Sequence, residues 1–521
     1  MNILLVNPPY PICESLTMPL GLLYLAARLE GAGHRVALED VQLCRSPISR
    51  VKKTLQRLKP QVVGITSFSI NLPIASRILQ TVKRLCPDAL TIWGGPHVSF
   101  DDEEILGNHP WVDAIVRGEG EETLLELVER LRNGKGLDGV LGLTSRNPDG
   151  TLRRNPPRPF REDLGELLRP AWHLLKLSRF RAFGDGASII TSRGCPHRCV
   201  FCVGRKMIGA RGRFRSPAAV VDEMEALVNL GFRRIRVEDD LFTFRRERAL
   251  DICRELHRRQ IPIRWRAYAR VDTVDPELLD WMGRTGCERI LFGAESANPE
   301  ILRRIRKGIS PEQTRRAVAM TREAGIGVLA SFVLGLPGET PKTLRQTIEF
   351  ADSLQVPYSL NLLTPYVGTE IRERAAEWGI HIISSDWRLY GQGCPLTATA
   401  TVGPWHLIRA VNRYRQGVRQ YLEDLLQEER RGVLDSTHAE ELARHRHWSF
   451  LRRLIGEEIL ERYGNIAERS DGKGIDALAR SLARPLRMPA AEVKLHVEPL
   501  LRDGHIYPAP ESGGGQRWSW S

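Results

Sequence analysis

Cysteine is scarce in this 521-residue chain: there are nine, an odd number. That is too few for a disulfide scaffold and points to a reducing, cytoplasmic setting. No apolar run reaches membrane-spanning length; stretches such as ILLV and VVGIT are strand-sized. The opening MNILLVNPPYP lacks a basic segment followed by a long apolar one, which argues against a signal peptide. No G-x-G-x-x-G opens the first helical segment, so a nicotinamide site is disfavoured. Low complexity is confined to SGGGQ (512–516), and no internal repeat stands out. What is present, 42% hydrophobic and 27% charged residues, is the composition of a globular protein long enough for several domains.

Basic residues are in excess, giving a formal charge of +13. From Thr151 to Arg181 eight basic residues face three acidic ones, and from Val203 to Arg215 five face none. Those stretches hold 10 of the 13 excess charges, whereas Val411 to Ser470 balances eleven arginines with eleven acids. The basicity is local, and nucleic acid is not the expected partner. It suggests an acidic or phosphorylated substrate, or anionic cofactor groups, near 203–215; a solvated arginine-rich surface is the alternative.

Strand-like and helix-like segments alternate from the start. NILLVNP (2–8), RVALEDV (35–41), VVGITSF (62–68), LTIWGGPHV (90–98) and AIVRGEG (114–120) read as strands, with helices at 20–33, 74–86 and 121–134. Five such units predict a doubly wound, flavodoxin-like parallel sheet over 1–143, with ligands beyond the strand ends. The turns there carry Ser67, Gly94, Gly95, His97 and Glu119, and the glycines would let a bulky ligand approach the backbone. Residues 144–186 open with TSRNPDGTLRRNPPRPF and read as loop and linker. Six further strands follow at 187–192, 234–239, 263–269, 289–296, 327–335 and 358–365, predicting a partial (β/α)6 barrel over 187–400. From about 401 to 521 the pattern is helical and ends helix, turn, helix, strand, like a small winged-helix module. This region is expected to wall the substrate side.

The segment SRGCPHRCVFC sets Cys195, Cys199 and Cys202 just after the first barrel strand. A disulfide would strand one thiol. A zinc site would need a fourth ligand, His197 being nearest, and zinc sites usually pair two separated C-x2-C units. A [4Fe–4S] cluster on three thiolates would leave one iron open to bind and reduce a small molecule.

These residues resemble the radical S-adenosylmethionine (SAM) superfamily, in which C-x3-C-x-aromatic-C follows the first barrel strand. The resemblance implies that the open iron chelates the amino and carboxylate groups of SAM, and that reductive cleavage yields a 5′-deoxyadenosyl radical. It gives Phe201 the aromatic position near the adenine. It also makes Asp239 and Asp240 (VEDDLFTF) candidates for the amino end of SAM, with a helix N-cap as the alternative. Arg270 becomes a partner for the SAM carboxylate, unless it makes an ordinary salt bridge. Glu295 and Ser296 (GAES) would lie near the ribose, and Gly335 (FVLGLPGET) near the adenine. The likeness runs from Ser188 to Ile371.

The N-terminal part resembles the cobalamin-binding domain of cobalamin-dependent radical SAM enzymes, through PLGLLYLAARLEGAGHRVALED, IWGGPHVSF and VRGEGEETLLELV. The resemblance implies a corrinoid whose nucleotide tail enters the sheet edge, with Ser67, Gly94, Gly95, His97 and Glu119 at its rim. The D-x-H-x-x-G signature that supplies a cobalt ligand in many corrinoid proteins is absent after the first strand. Methylthiotransferases also place an α/β domain before such a barrel and use N-terminal cysteines for a second cluster. Here Cys13, Cys44 and Cys86 are widely spread, and Cys253, Cys287 and Cys394 read as ordinary residues.

The resemblance therefore implies a cobalamin-dependent radical SAM enzyme that methylates an unactivated carbon. Its substrate would be a small molecule, lipid or peptide, and its electrons would come from a flavodoxin- or ferredoxin-type donor. Ring closure or rearrangement, methylthiotransfer, and a cluster or cobalamin sensor that binds nucleic acid are the alternatives.

Overall fold

The computed structural model describes residues 1–10, 16–391, 393–466, 474–510 and 515–521. Cys13 and most of SGGGQ lie outside the described residues. Strands β1 (Asn2–Asn7), β2 (Arg35–Asp40), β3 (Val62–Thr66), β4 (Leu90–Gly94) and β5 (Ala114–Val116) pair in parallel in the order β2-β1-β3-β4-β5. This is the flavodoxin-like order, which reverses between β1 and β3. Alternation explains why both faces are covered. Leu4, Val6, Val63, Ile65 and Trp93 pack with the helix Leu72–Leu85, while Ile3, Leu5, Val62 and Ile92 pack with the helices Leu20–Glu30 and Glu121–Arg132.

The stretch 144–160, expected as loop and linker, instead begins with two strands. β6 (Leu143–Arg146) and β7 (Leu152–Arg154) extend the sheet antiparallel beyond β5. The Asn-Pro-Asp-Gly sequence is their hairpin turn: Asn147 N–H donates to Thr151 O at 2.8 Å and Gly150 N–H to Asn147 O at 2.9 Å. Turn residues that look like a linker in sequence here reverse a strand.

The second sheet contains β8 (Ala187–Ile189), and a two-residue ladder of β9 (Ser192–Arg193) and β10 (Arg213–Phe214) follows it. The sheet continues with β11 (Arg234–Val237), β12 (Arg264–Ala269), β13 (Cys287–Glu295), β14 (Gly327–Leu334) and β15 (Tyr358–Leu362). Its six strands are all parallel and lie strictly in chain order, with β8 and β15 as edges, so the barrel is open. Its helices begin alike: Ser216, Asp275, Asn298, Ser310 and Thr340 each cap a helix whose first residue is proline. Each cap accepts a backbone N–H that the helix cannot satisfy itself, and proline at the first position forfeits no bond.

The C-terminal region meets the barrel's strand ends only where it begins. The helix Pro404–Arg431 does start there, with Leu407 against Gly335, but it runs down the β15 edge, where Tyr414 Oη donates to Tyr358 O at 2.6 Å. The helices Gly474–Leu486 and Ala490–Arg502 and the antiparallel strands Ile506–Pro510 and Gln516–Trp520 make up the end for which a winged-helix-like module was expected. That end sits at the opposite mouth of the barrel, where Asp503, Gly504 and His505 line a cleft with Arg234 and Arg264 at the strand N-termini. Apolar burial directs it there: Trp518 and Trp520 join the core that holds Phe180 and Phe183. Its second helix carries Glu492, Lys494, Glu498 and Arg502, and Lys494 is paired with Asp476 and Glu498. That balance lacks the basic face a nucleic-acid reader needs. Among the described residues no helix is long and apolar enough to cross a membrane.

Candidate active site

The cysteine loop is an excursion closed at its neck. Ser192 pairs with Phe214 and Arg193 with Arg213, so residues 194–212 leave and return through one point. Gly194 has φ +105°, and a Cβ there would stand 2.1 Å from Arg211 O. Only glycine permits this crossing. Inside the loop, Cys195 N–H donates to Gly209 O at 3.1 Å and Cys202 N–H to Cys199 O at 3.2 Å. Gly204 N–H donates to Cys202 Sγ at 3.3 Å, and the Cys199 thiol faces Arg306 O at 3.8 Å. Desolvation raises all three thiols, Cys202 to about 11; the Cys195 and Cys199 charges add to Cys202, and Cys195 adds to Cys199. Three mutually coupled thiols that resist ionisation are a ligand set that a cation would deprotonate. Among the described residues no three His, Cys, Asp or Glu side chains are grouped to hold a single metal ion.

The neck is clamped to the N-terminal domain. Glu119 accepts a forked pair of bonds from Arg213 at 2.7 and 2.8 Å and lies 3.2 Å from Arg193, which also pairs with Glu121 at 2.6 Å. Burial works to raise the Glu119 carboxyl, but hydrogen bonds and charge from Arg213 and Arg193 outweigh it and hold it below the usual range. Glu119 lines the cavity described below, yet its carboxylate is committed to the barrel.

Most of the local basicity is spent in the same way. Arg215 pairs with Glu223 at 2.5 Å, Lys206 with Glu373 at 2.7 Å, and Arg205 donates to Pro196 O at 2.8 Å. In the 151–181 stretch, Arg154 pairs with Asp102 at 2.8 Å, Arg161 with Glu122, and Arg179 with Glu461. Lys206, Arg213 and Arg215 of the 203–215 cluster have carboxylate partners and Arg205 a backbone carbonyl, so most of that cluster's charge is engaged within the protein.

The residues expected to contact SAM separate into free and committed groups. Asp239 is 1% exposed and accepts from Thr191 N–H (2.6 Å), Thr191 Oγ1 (2.5 Å) and Ser192 Oγ (2.5 Å). It pins the end of β8 to the neck, caps no helix and is not among the residues that line the cavity. Asp240 is exposed and faces the cavity. Desolvation and the Asp239 charge raise its carboxyl to about 6, and Gly204 stands between it and Cys202. Arg270 forks onto Asp272 at 2.9 Å and donates to Lys307 O at 2.7 Å, which is the salt-bridge alternative. Glu295 adopts φ +63° and pairs with buried Lys307 at 2.6 Å, in space that a Cβ on Gly293 would fill. Ser296 is buried and hydrogen-bonds around Thr347 and Asn298. The face of Gly335 that a side chain would occupy is filled by Leu407. Phe201 packs at the margin of the barrel core.

A cavity of about 580 Å³ lies between the two sheets. Leu5, Leu22, Leu25, Gly64, Ile92 and Leu124 form its deep, apolar part at the β1/β3 reversal, with Gly94 and Gly95 at the rim. From the barrel side come Arg193, Met207, Ile208, Glu238 and Asp240. Gly64, Met207 and Ile208 were not expected here; a glycine inside the buried run VVGIT was the available signal. Ser67 does not reach the cavity: it is fully buried and accepts from Trp93 Nε1 at 2.8 Å. His97 is also withdrawn, bonded to Ser69 Oγ at 2.9 Å and edge-on to Trp387. No histidine is among the cavity-lining residues.

Two outcomes follow from the neck. Glu119→Gln deprives buried Arg213 of its forked carboxylate partner and Arg193 of the weaker of its two, and should cost about 3 kcal/mol in urea unfolding at neutral pH. Since the folded Glu119 value is depressed, its contribution is complete above the unfolded carboxylate value of roughly 4.3 and is lost as pH falls through the folded one. Wild type and variant should therefore converge in acid, and an unchanged gap would contradict the clamp. Gly194→Ala should leave the far-UV spectrum intact but strongly reduce iron uptake on reconstitution; normal uptake would contradict the constraint on the neck.

A model of the radical SAM superfamily matches residues 189–351 and a model of the B12 binding domain matches residues 13–128. The chain is 35% identical over 398 residues to the uncharacterized methyltransferase PH0819 of Pyrococcus horikoshii, covering 75% of this chain and 86% of that protein. It is 32% identical over 345 residues to the anaerobic magnesium-protoporphyrin IX monomethyl ester cyclase of Rubrivivax gelatinosus, covering 64% and 61% of the two. Among solved structures, the cobalamin-dependent SAM radical enzyme OxsB, with aqua-cobalamin and SAM bound, shares the fold with TM-score 0.69 at 19% identity, covering 96% of this chain and 80% of that one. With both domain models matched, and with a 35% identical relative covered over most of its length, the chain belongs to the radical SAM superfamily, as an enzyme that carries an N-terminal B12-binding domain.

Proposed function

We propose that this protein is a cobalamin-dependent radical SAM methyltransferase acting on an unactivated carbon, with Cys195, Cys199 and Cys202 holding a [4Fe–4S] cluster that leaves one iron to SAM. One observation carries the reading: the cysteine loop is itself a wall of the inter-sheet cavity. Met207 and Ile208 of that loop line the cavity, and Asp240 borders both the cavity and the Cys202 side of Gly204. The donor set suits a cluster, with three coupled thiols and a backbone N–H on Cys202 Sγ. The apolar slot suits a corrinoid tail, because Cβ atoms on Gly64 or Gly120 would crowd Leu5 or Leu25 at 3.0 and 3.2 Å. The bound groups together supply one-electron chemistry at carbon and a methyl group for transfer.

The chain's own contribution is placement. The clamped neck fixes the thiols relative to the cavity. Lys307 and Arg270 lower the cost of charge on Cys195 and Cys199, and the neutral-to-anionic carboxyl of Asp240 is placed to receive an ammonium group. Electrons come from an external flavodoxin- or ferredoxin-type carrier. The likeness to a cyclase in Rubrivivax gelatinosus favours ring closure without methylation as the second reading.

Anaerobic reconstitution with SAM and a reductant should produce 5′-deoxyadenosine, and SAM labelled in its methyl group should leave that label on carbon of the product. A product with a new ring and no label would favour the second reading. Cys199→Ala should lose the cluster absorbance; retention of it would contradict the ligand assignment. Asp240→Asn should weaken SAM binding by about tenfold, the worth of one hydrogen bond to a charged group. Unchanged affinity would free Asp240 from that role.

A further inference from the structure

The inner face of the barrel carries charge that the cofactor sites do not use. β11, β12 and β13 are in register at Arg236↔Arg266 and Arg266↔Arg289, so three arginines stand side by side. Their chain neighbours Ile235, Trp265 and Ile290 are buried against the surrounding helices, so strand alternation turns the arginines to the concave face. Arg236 is 8% exposed and donates to Glu238 at 2.8 Å and Thr17 Oγ1 at 3.3 Å, yet its Nη1 has no hydrogen-bond partner. Among the described residues no hydrogen bond or ion pair satisfies Arg266 or Arg289. Burial and the neighbouring Arg236 lower the Arg266 guanidinium, outweighing Asp185 and Glu238. Asp185 is the layer's acidic neighbour: burial raises its carboxyl against the opposing charges of Arg236, Arg266 and Arg234, and its Oδ2 has no hydrogen-bond partner.

One layer toward the strand C-termini, Tyr268, Leu291 and Leu329 are in register across β12, β13 and β14. Tyr268 is 43% exposed although it lies on a central strand, so the concave face is open at that level. Arg236 is buried, Arg266 half-buried and Arg289 exposed, so the guanidinium row opens from the floor into the concave space, where a ligand can supply the counter-charge that Arg266 and Arg289 lack.

We infer that Arg236, Arg266 and Arg289 anchor the substrate through an oxyanion head, carboxylate or phosphate, with its apolar body along Leu291 and Leu329. This rests on reading the barrel as the reaction chamber of the proposed methyltransferase. The anionic group expected from the 203–215 charges thereby finds its cations inside the barrel instead, with Arg266 and Arg289 having no carboxylate partner of their own. Arg236 also ties the anchor to the cavity, since Glu238 and Thr17 both line it.

The test is calorimetric titration of the cofactor-loaded full chain with sodium decanoate and with decan-1-ol. Decanoate should bind at least about tenfold more tightly. Arg266→Met should abolish that preference while leaving decanol affinity and iron content unchanged, and its Tm should hold or rise because a half-buried charge without a carboxylate partner has gone. Arg289→Met serves if the first variant fails to fold. Inorganic phosphate that displaces decanoate assigns a site open to phosphate heads; failure to displace it restricts the anchor to carboxylates. Equal binding of decanoate and decanol, or full preference retained in the variants, would overturn the anchor. Loss of SAM cleavage with decanoate binding intact would count against the proposed function and not against the anchor.

Discussion

The structure depends on a buried charge clamp, Glu119 and Glu121 against Arg193 and Arg213. These four side chains join the β5 end of one sheet to the neck of the cysteine loop on the other. Buried ion pairs contribute little net stability beside apolar packing, but they specify one arrangement, since each group is costly without its partner. Here the arrangement specified is the position of three thiols relative to a ligand cavity. The neck ladder is only two residues long and would fray without such a restraint. The clamp therefore connects the fold of each half to the chemistry between them.

Several carboxylates near the site hold protein rather than ligand. Asp239 secures the strand that delivers the loop, Asp272 orients Arg270, and Glu295 holds Lys307 close to the cysteine loop. Glu295 does so from a left-handed backbone conformation, a strain the surrounding strand register must support. Asp240 differs from its neighbour Asp239 only in facing the open space. Adjacent acids with opposite duties are what strand-end alternation produces: one side chain turns into the core and the next into the cavity.

Much of this was legible in sequence. The runs of buried strand residues and the three cysteines after the first barrel strand are local signals, and the sheets and the loop appear where those signals stand. Identity of side-chain partners was not legible, because it depends on contacts between distant segments. Ser67 and His97 sit on rim turns as expected, yet their side chains bond inward to Trp93 and Ser69. The cations Lys206, Arg213 and Arg215 look like a surface patch until Glu373, Glu119 and Glu223 arrive from elsewhere in the chain. The hairpin at 143–154 was hidden because turn residues mark a reversal and a linker alike.

The shared wall between the cysteine loop and the inter-sheet cavity can be tested without turnover, by electron paramagnetic resonance of the chain loaded with cob(II)alamin and with its cluster reduced. If Met207, Ile208 and Asp240 separate the two groups by a single layer of side chains, the two paramagnets must broaden or split each other's signals. Two independent, unperturbed spectra from a fully loaded sample would contradict that arrangement.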